Sequence, residues 1–239
     1  METLGIIGGM GPMATAYLLE LIIQMTDAKT DQEHLNIMVL NNPQVPDRTA
    51  YILDQSKASP LPVLHQMAHT LETMGARVLC APCVTSHYFY RELSEGVSVP
   101  FLHMVEETAR ELQAAGKKKA GILATTGTVK TGLFQTALEK FGLEYALPGE
   151  KAQTLTMSLI YDDIKAGRPA NMDKFRRASD ELFDAGCDSV ILGCTELSLV
   201  KKDTHLPALG FLDALEVLSK RCVEACGGKL KAEYRQLIS

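Results

Sequence analysis

The chain has 239 residues, a formal net charge of −5, 46% hydrophobic and 22% charged residues. These proportions are those of ordinary globular proteins and exclude wholesale disorder, while the acidic balance, with no basic face to offset it, argues against a general nucleic-acid binder. The length holds one large α/β domain or two of about 110–120 residues, and either buries enough apolar surface to fold without disulfides.

In chain order, Leu4 to Ile7 reads as a buried strand, Gly8-Gly9-Met10-Gly11-Pro12 as a tight turn, and Met13 to Met25 as a core-facing helix with Pro12 in its first turn. Leu35 to Leu40 is a second strand, opening into the turn-rich loop Asn41 to Thr49. A helix from Pro62 to Met74 stops at Gly75. The strand around Val78 follows and leads to Cys83, and Val99 to Leu102 reads as a short further strand. The pattern then restarts with a helix (Val105 to Ala115), a strand (Lys119 to Ala124), the loop Thr125-Thr126-Gly127-Thr128 and a helix to Phe141. Helices at Thr156 to Ala166 and Phe175 to Ala185 precede a strand ending at Cys194. A strand from Leu206 to Phe211 and a helix from Ala214 to Ala225 complete the series. Strands alternating with helices predict parallel α/β layers. Lys117-Lys118-Lys119, the one dense basic run, reads as the cap of a helix C-terminus.

No apolar run reaches the ~18 residues that a membrane span needs. The start Met1-Glu2-Thr3 lacks the features of a signal peptide. A cytoplasmic protein is expected, with its six cysteines reduced and judged as thiols, metal ligands or nucleophiles.

The two halves of the chain echo each other. Leu4-Gly5-Ile6-Ile7-Gly8 matches Ala120-Gly121-Ile122-Leu123-Ala124, and Cys83 and Cys194 occupy equivalent places after apolar strands. Two related βα units facing each other bring their strand ends to one cleft, where open α/β sheets bind ligands. The loose G-x-G-x-x-A match at Gly9 to Ala14 lacks the acidic residue that a dinucleotide site wants after the second strand; its amides suit a small anion instead. Cys80-Ala81-Pro82-Cys83 has redox spacing, but Cys80 falls inside the strand and reads as packing, as do Cys222 and Cys226. Cys187 and Cys194 do not offer the second short-spaced ligand pair of a zinc site. The positions where a phosphatase loop would carry arginine are Phe89 and Val200.

Cys83 and Cys194 each lie beyond a strand and near a helix start, where thiolate is favoured. On opposite faces of a carbon, one thiol can remove a proton while the other delivers one, inverting the centre. The alternative is that both are small buried residues at strand ends.

These residues resemble the aspartate/glutamate racemase family, in its cofactor-independent aspartate branch, over essentially the whole chain. The resemblance rests on Gly8 to Pro12, Pro46-Asp47-Arg48-Thr49, Pro82-Cys83 to His87, Leu123 to Thr125 with Gly127-Thr128, Ile164 to Gly167, and Leu192-Gly193-Cys194-Thr195-Glu196. It implies two pseudo-symmetric Rossmann-like (flavodoxin-like) domains with parallel sheets and the active site between them. The first domain is expected at 1–104 plus 211–239, made discontinuous by the returning last helix, and the second at 105–210. The implied reaction is racemisation of an amino acid without pyridoxal phosphate, metal or other cofactor, with aspartate the first substrate and glutamate the second. The implied catalytic acid/base pair is Cys83 and Cys194. Thr85 and Thr195 resemble the groups that hold the α-carboxylate and α-amine, and Arg48 and Lys165 the cations for a side-chain carboxylate. Met10, Val84, Thr125 and Thr128 fall at the same substrate site, and Glu196 is placed to tune or orient Cys194. A homodimer, with no nucleic-acid or membrane partner, is also implied.

One departure stands out: the family reads Cys-Asn-Thr where this chain has Cys83-Val84-Thr85. Losing the Asn hydrogen bond to a charged group costs roughly 1.5–3 kcal/mol, and Ser86 offers a hydroxyl in compensation. Two other readings therefore stand beside the first. One is an altered substrate (another amino acid, or a maleate- or hydantoin-type compound), and the other a ligand-binding protein that has lost catalysis.

Overall fold

The computed structural model describes residues 1–204, 206 and 210–238. Its strands are β1 (Leu4–Gly8), β2 (Ile37–Asn41), β3 (Val78–Cys80), β4 (Lys119–Leu123), β5 (Glu144–Ala146), β6 (Ser189–Leu192) and β7 (Phe211–Asp213). They form two sheets ordered β2-β1-β3 and β5-β4-β6-β7, and every ladder is parallel. In the centre of each, Leu4 lies opposite both Ile37 and Val78, and Ala120 opposite Ser189. β1 is buried throughout. That is why its sequence is continuously apolar and not alternating: helices cover both faces of a parallel sheet.

Helix Leu61–Thr73 lays Leu64 and Leu71 against Ile7 and Leu79 on the outside of the first sheet. Helix Met172–Asp184 does the same for the second sheet, with Phe175 and Leu182 against Leu123 and Val190. Between the sheets lie Pro12–Met25, Met104–Ala114 and Ala214–Ala225. Their apolar faces join Leu4 and Ile6 of β1, Ile122 of β4 and Ile191 of β6 in one continuous core. Cys80, Cys222 and Cys226 are fully buried in this core, in keeping with packing roles.

With both faces of each sheet covered, the carboxyl ends of the strands are left to carry loops. Gly9, following β1, has φ +98°, and a Cβ there would come within 2.3 Å of the Asn42 backbone. Only glycine allows both.

Several elements differ from expectation. Val99 to Leu102 contributes a single parallel bridge, Phe101 beside Leu79, and not a strand. Arg48 and Thr49 are not in a loop; they open helix Arg48–Leu53, which Asp47 caps by accepting the Ala50 N–H. The helix expected to reach Phe141 is two helices, Thr126–Lys130 and Leu133–Lys140. The helix expected from Thr156 begins at Glu150 and turns into a π-helix at Leu159–Ile164. The last strand is Phe211–Asp213; residues 207–209 of the expected Leu206 to Phe211 strand lie outside the described residues. Within the basic run, the Lys119 ammonium caps a helix C-terminus elsewhere, at the Ala185 carbonyl (2.7 Å).

Candidate active site

The loops after β1, β2, β3, β4 and β6 converge on one small cavity. Cys83 enters it from the first sheet and Cys194 from the second, 6% and 7% exposed respectively. Met10, Arg48, Val84, Thr85, Thr125, Lys165, Thr195 and Glu196 complete most of the lining.

Cys194 is held by its own turn. Its thiol donates to Glu196 Oε2 at 2.9 Å, and the other oxygen of Glu196 takes the ammonium of Lys165. Burial pushes the Cys194 thiol well up; the Glu196 carboxylate adds to this, and Lys165 opposes it. The expectation that this helix start favours thiolate is therefore corrected for Cys194. A carboxylate two residues away and full desolvation outweigh the helix dipole, so the sulfur carries its proton. Burial also works against the Lys165 charge, but Glu196, Cys194 and Cys83 outweigh it and the net shift is upward.

Cys83 begins the helical turn Val84–Phe89. Its carbonyl accepts Ser86 Oγ–H at 2.6 Å and lies 3.1 Å from His87 Nδ1. His87 Nε2 accepts the Met104 N–H at 3.1 Å, so the ring proton sits on Nδ1 and donates to Cys83. Burial, then the neighbouring His103, lowers the His87 pKa to about 4, and the neutral ring ties the cysteine loop to the start of helix Met104–Ala114. Ser86 is thus turned to the backbone and does not replace the missing Asn; Val84 remains an apolar wall.

Arg48 is buried, with Nη1 donating to the Val45 and Pro46 carbonyls (3.1 and 2.9 Å) and Nη2 to that of Met10 (3.5 Å). Its Nε has no partner among the described residues. Burial disfavours its charge, yet the Cys83 sulfur and Asp47 raise its pKa overall. Beneath the thiols, the Thr85, Thr125 and Thr128 hydroxyls close a triangle with edges of 3.1, 3.0 and 3.2 Å, which Thr49 joins through Thr125 at 3.3 Å.

The family model for Asp/Glu/Hydantoin racemase matches residues 7–219. The chain belongs to this racemase family. It is 28% identical to the broad specificity amino-acid racemase RacX of Bacillus subtilis over 92% of this chain and 96% of that one. It superposes on Picrophilus torridus aspartate racemase with a TM-score of 0.83 and 28% identity, covering 99% of both chains. Glutamate racemase of Francisella tularensis, solved with D-glutamate, shares the fold at 13% identity and a TM-score of 0.69, covering 100% of this chain and 83% of that one.

Every site residue expected from the sequence of this racemase-family enzyme borders the cavity, except Thr128, which sits behind it in the hydroxyl triangle. Asp47, Thr49 and Tyr161 line it as well and were not singled out. Asp47 and Thr49 flank Arg48 in a stretch already noted, and Tyr161 stands four residues before Lys165. Burial pushes the Tyr161 hydroxyl up to about 12, so it stays a phenol and donates to Asp47 Oδ2 at 3.4 Å. Among the described residues, no group of three or more His, Cys, Asp or Glu is arranged to hold a metal ion, and no helix is long and apolar enough to cross a membrane.

Proposed function

We propose that this chain is a cofactor-independent amino-acid racemase that inverts the α-carbon between Cys83 and Cys194. The observation that carries the reading is that two thiols, Cys83 and Cys194, face one cavity from different sheets. Cys194 is held protonated by burial and Glu196, while Cys83 shares its corner with the Arg48 cation. Cys83 as thiolate takes the α-proton, its S–H bond forming as the C–H bond breaks. Cys194 then gives its proton to the opposite face of the carbanion and becomes the thiolate. The other enantiomer runs the same steps in reverse. Acid–base groups of this kind contribute about 10²–10⁴-fold each.

Aspartate is the reference substrate, followed by glutamate. The similarity to an aspartate racemase supports the first, and Arg48 and Lys165 at the cavity supply the cations. The similarity to a broad-specificity enzyme supports a wider range. Val84, left without a polar substitute, favours the second reading, a protein that binds an amino acid without turning it over. Incubation in D₂O with L-aspartate, L-glutamate and a panel of other amino acids separates the two. Deuterium entering the α-position, and lost about a hundredfold or more in Cys83→Ser and in Cys194→Ser, supports racemisation. Tight binding without exchange supports the binding protein, and neither with any amino acid overturns both. A homodimer, expected from the resemblance, is tested by light scattering.

A further inference from the structure

A second, more open cavity adjoins the first and shares Met10, Asp47, Arg48, Lys165 and Glu196 with it. Beyond this collar it is walled largely by apolar side chains, among them Met13, Pro43, Ile164 and Leu199. Met13 is 68% exposed at its edge, an apolar lip open to solvent. Gly11 borders the collar closely: a Cβ there would lie 3.3 Å from Glu196 Oε1 and 4.0 Å from Lys165 Nζ.

The cations of the collar are already engaged: Lys165 is paired with Glu196, and Arg48 Nη1 and Nη2 donate to the Val45, Pro46 and Met10 carbonyls. A side chain crossing from the reaction centre therefore need not bring a carboxylate, and the apolar wall beyond penalises one. We infer that the second cavity is a side-chain subsite, and that it takes neutral, apolar amino-acid side chains longer than that of aspartate. This inference rests on the racemase reading for its orientation, with the α-carbon between the thiols. Each methylene moved from water onto the apolar wall strengthens productive binding by about fourfold.

The test is a homologous series, L-2-aminobutyrate, L-norvaline and L-norleucine, followed by α-deuterium exchange and by calorimetric binding in the wild type, Met13→Trp and Leu199→Phe. From the first member to the last, kcat/KM for exchange should rise about fifteenfold. Met13→Trp, at an exposed position that puts no demand on folding, should cut the norleucine-to-aminobutyrate ratio at least fivefold, and Leu199→Phe should do so from helix Thr195–Thr204. Exchange that is flat along the series, or a ratio unmoved in both variants, overturns the subsite and leaves the racemase standing. Length-dependent binding that the variants remove, without exchange of any amino acid, supports the subsite and overturns the racemase. Neither binding nor exchange overturns both.

Discussion

Glu196 serves two partners at once, one carboxylate oxygen taking the Cys194 thiol and the other the Lys165 ammonium. Its replacement separates the two effects. The Cys194 thiol is raised first by burial and next by the Glu196 charge, and lowered by Lys165. Glu196→Gln removes one raising influence and leaves the lowering one. In the proposed mechanism Cys194 is the acid and works only while protonated, so activity would be lost as pH rises through its pKa, and a lower pKa would bring that loss to lower pH. The alkaline limb of kcat should therefore move down in pH relative to wild type; an unmoved limb would mean that Glu196 does not govern this proton. The same variant releases Lys165, so KM for aspartate should fall while KM for 2-aminobutyrate stays within about twofold. At this scale much was legible beforehand, because cysteines after matching strands and the Cys-Thr-Glu run are local patterns. Tyr161 was not, since a tyrosine in an amphipathic stretch has no signature separating a cavity wall from packing. The proton on Cys194 was misjudged for a related reason. Sequence shows a helix start, whereas desolvation depends on the far half of the chain.

At the scale of elements, the cap of helix Ala214–Ala225 makes a claim about pH. Asp213 is fully buried; its Oδ1 accepts the Ser198 hydroxyl at 2.7 Å and the Leu215 N–H at 2.8 Å, and Oδ2 has no partner among the described residues. Burial, then Glu216, raises its pKa from 3.8 to about 7. A carboxyl raised by folding stabilises the fold while protonated, so its contribution is complete below about 4 and lost as pH rises through about 7. Full ionisation costs on the order of 4 kcal/mol, or about 10 °C in Tm for a chain of this size. Asp213→Asn keeps the capping oxygen and cannot ionise, so its Tm should decline less than wild type between pH 4 and pH 7; parallel curves would exclude Asp213 as the titrating group. The long helices were legible from their apolar period. The π-helix Leu159–Ile164 and the edge strand β5 were not, because three residues give no period and an extra backbone residue per turn leaves no compositional mark.

The whole molecule raises the question of folding units. The sequence suggests a division into 1–104 plus 211–239 and 105–210, which allows two independent transitions. The central core takes side chains from both sheets and from the three helices between them. Thermal unfolding should thus be one transition, with calorimetric and van't Hoff enthalpies in agreement, and two resolved peaks would contradict a shared core. Where the halves meet at the cavity, a Cβ on Gly127 would lie 2.9 Å from Thr49 Oγ1 and 3.1 Å from its Cα. Gly127→Ala should therefore lower exchange at least about tenfold, a loss of about 1.4 kcal/mol in the barrier, while Tm changes little; unchanged activity would show that the loops have room to spare. The hydroxyl triangle spans the same seam, Thr85 from one half and Thr125 and Thr128 from the other. Each of its edges can run with either oxygen as donor. Thr125 Oγ1 already accepts the Thr49 hydroxyl and the Thr128 N–H, so its own proton can turn to Thr85 or to Thr128 without moving a heavy atom. A catalyst that interconverts mirror images owes both hands the same kcat/KM. A floor whose hydrogen bonds have no fixed handedness can greet either one without rebuilding itself.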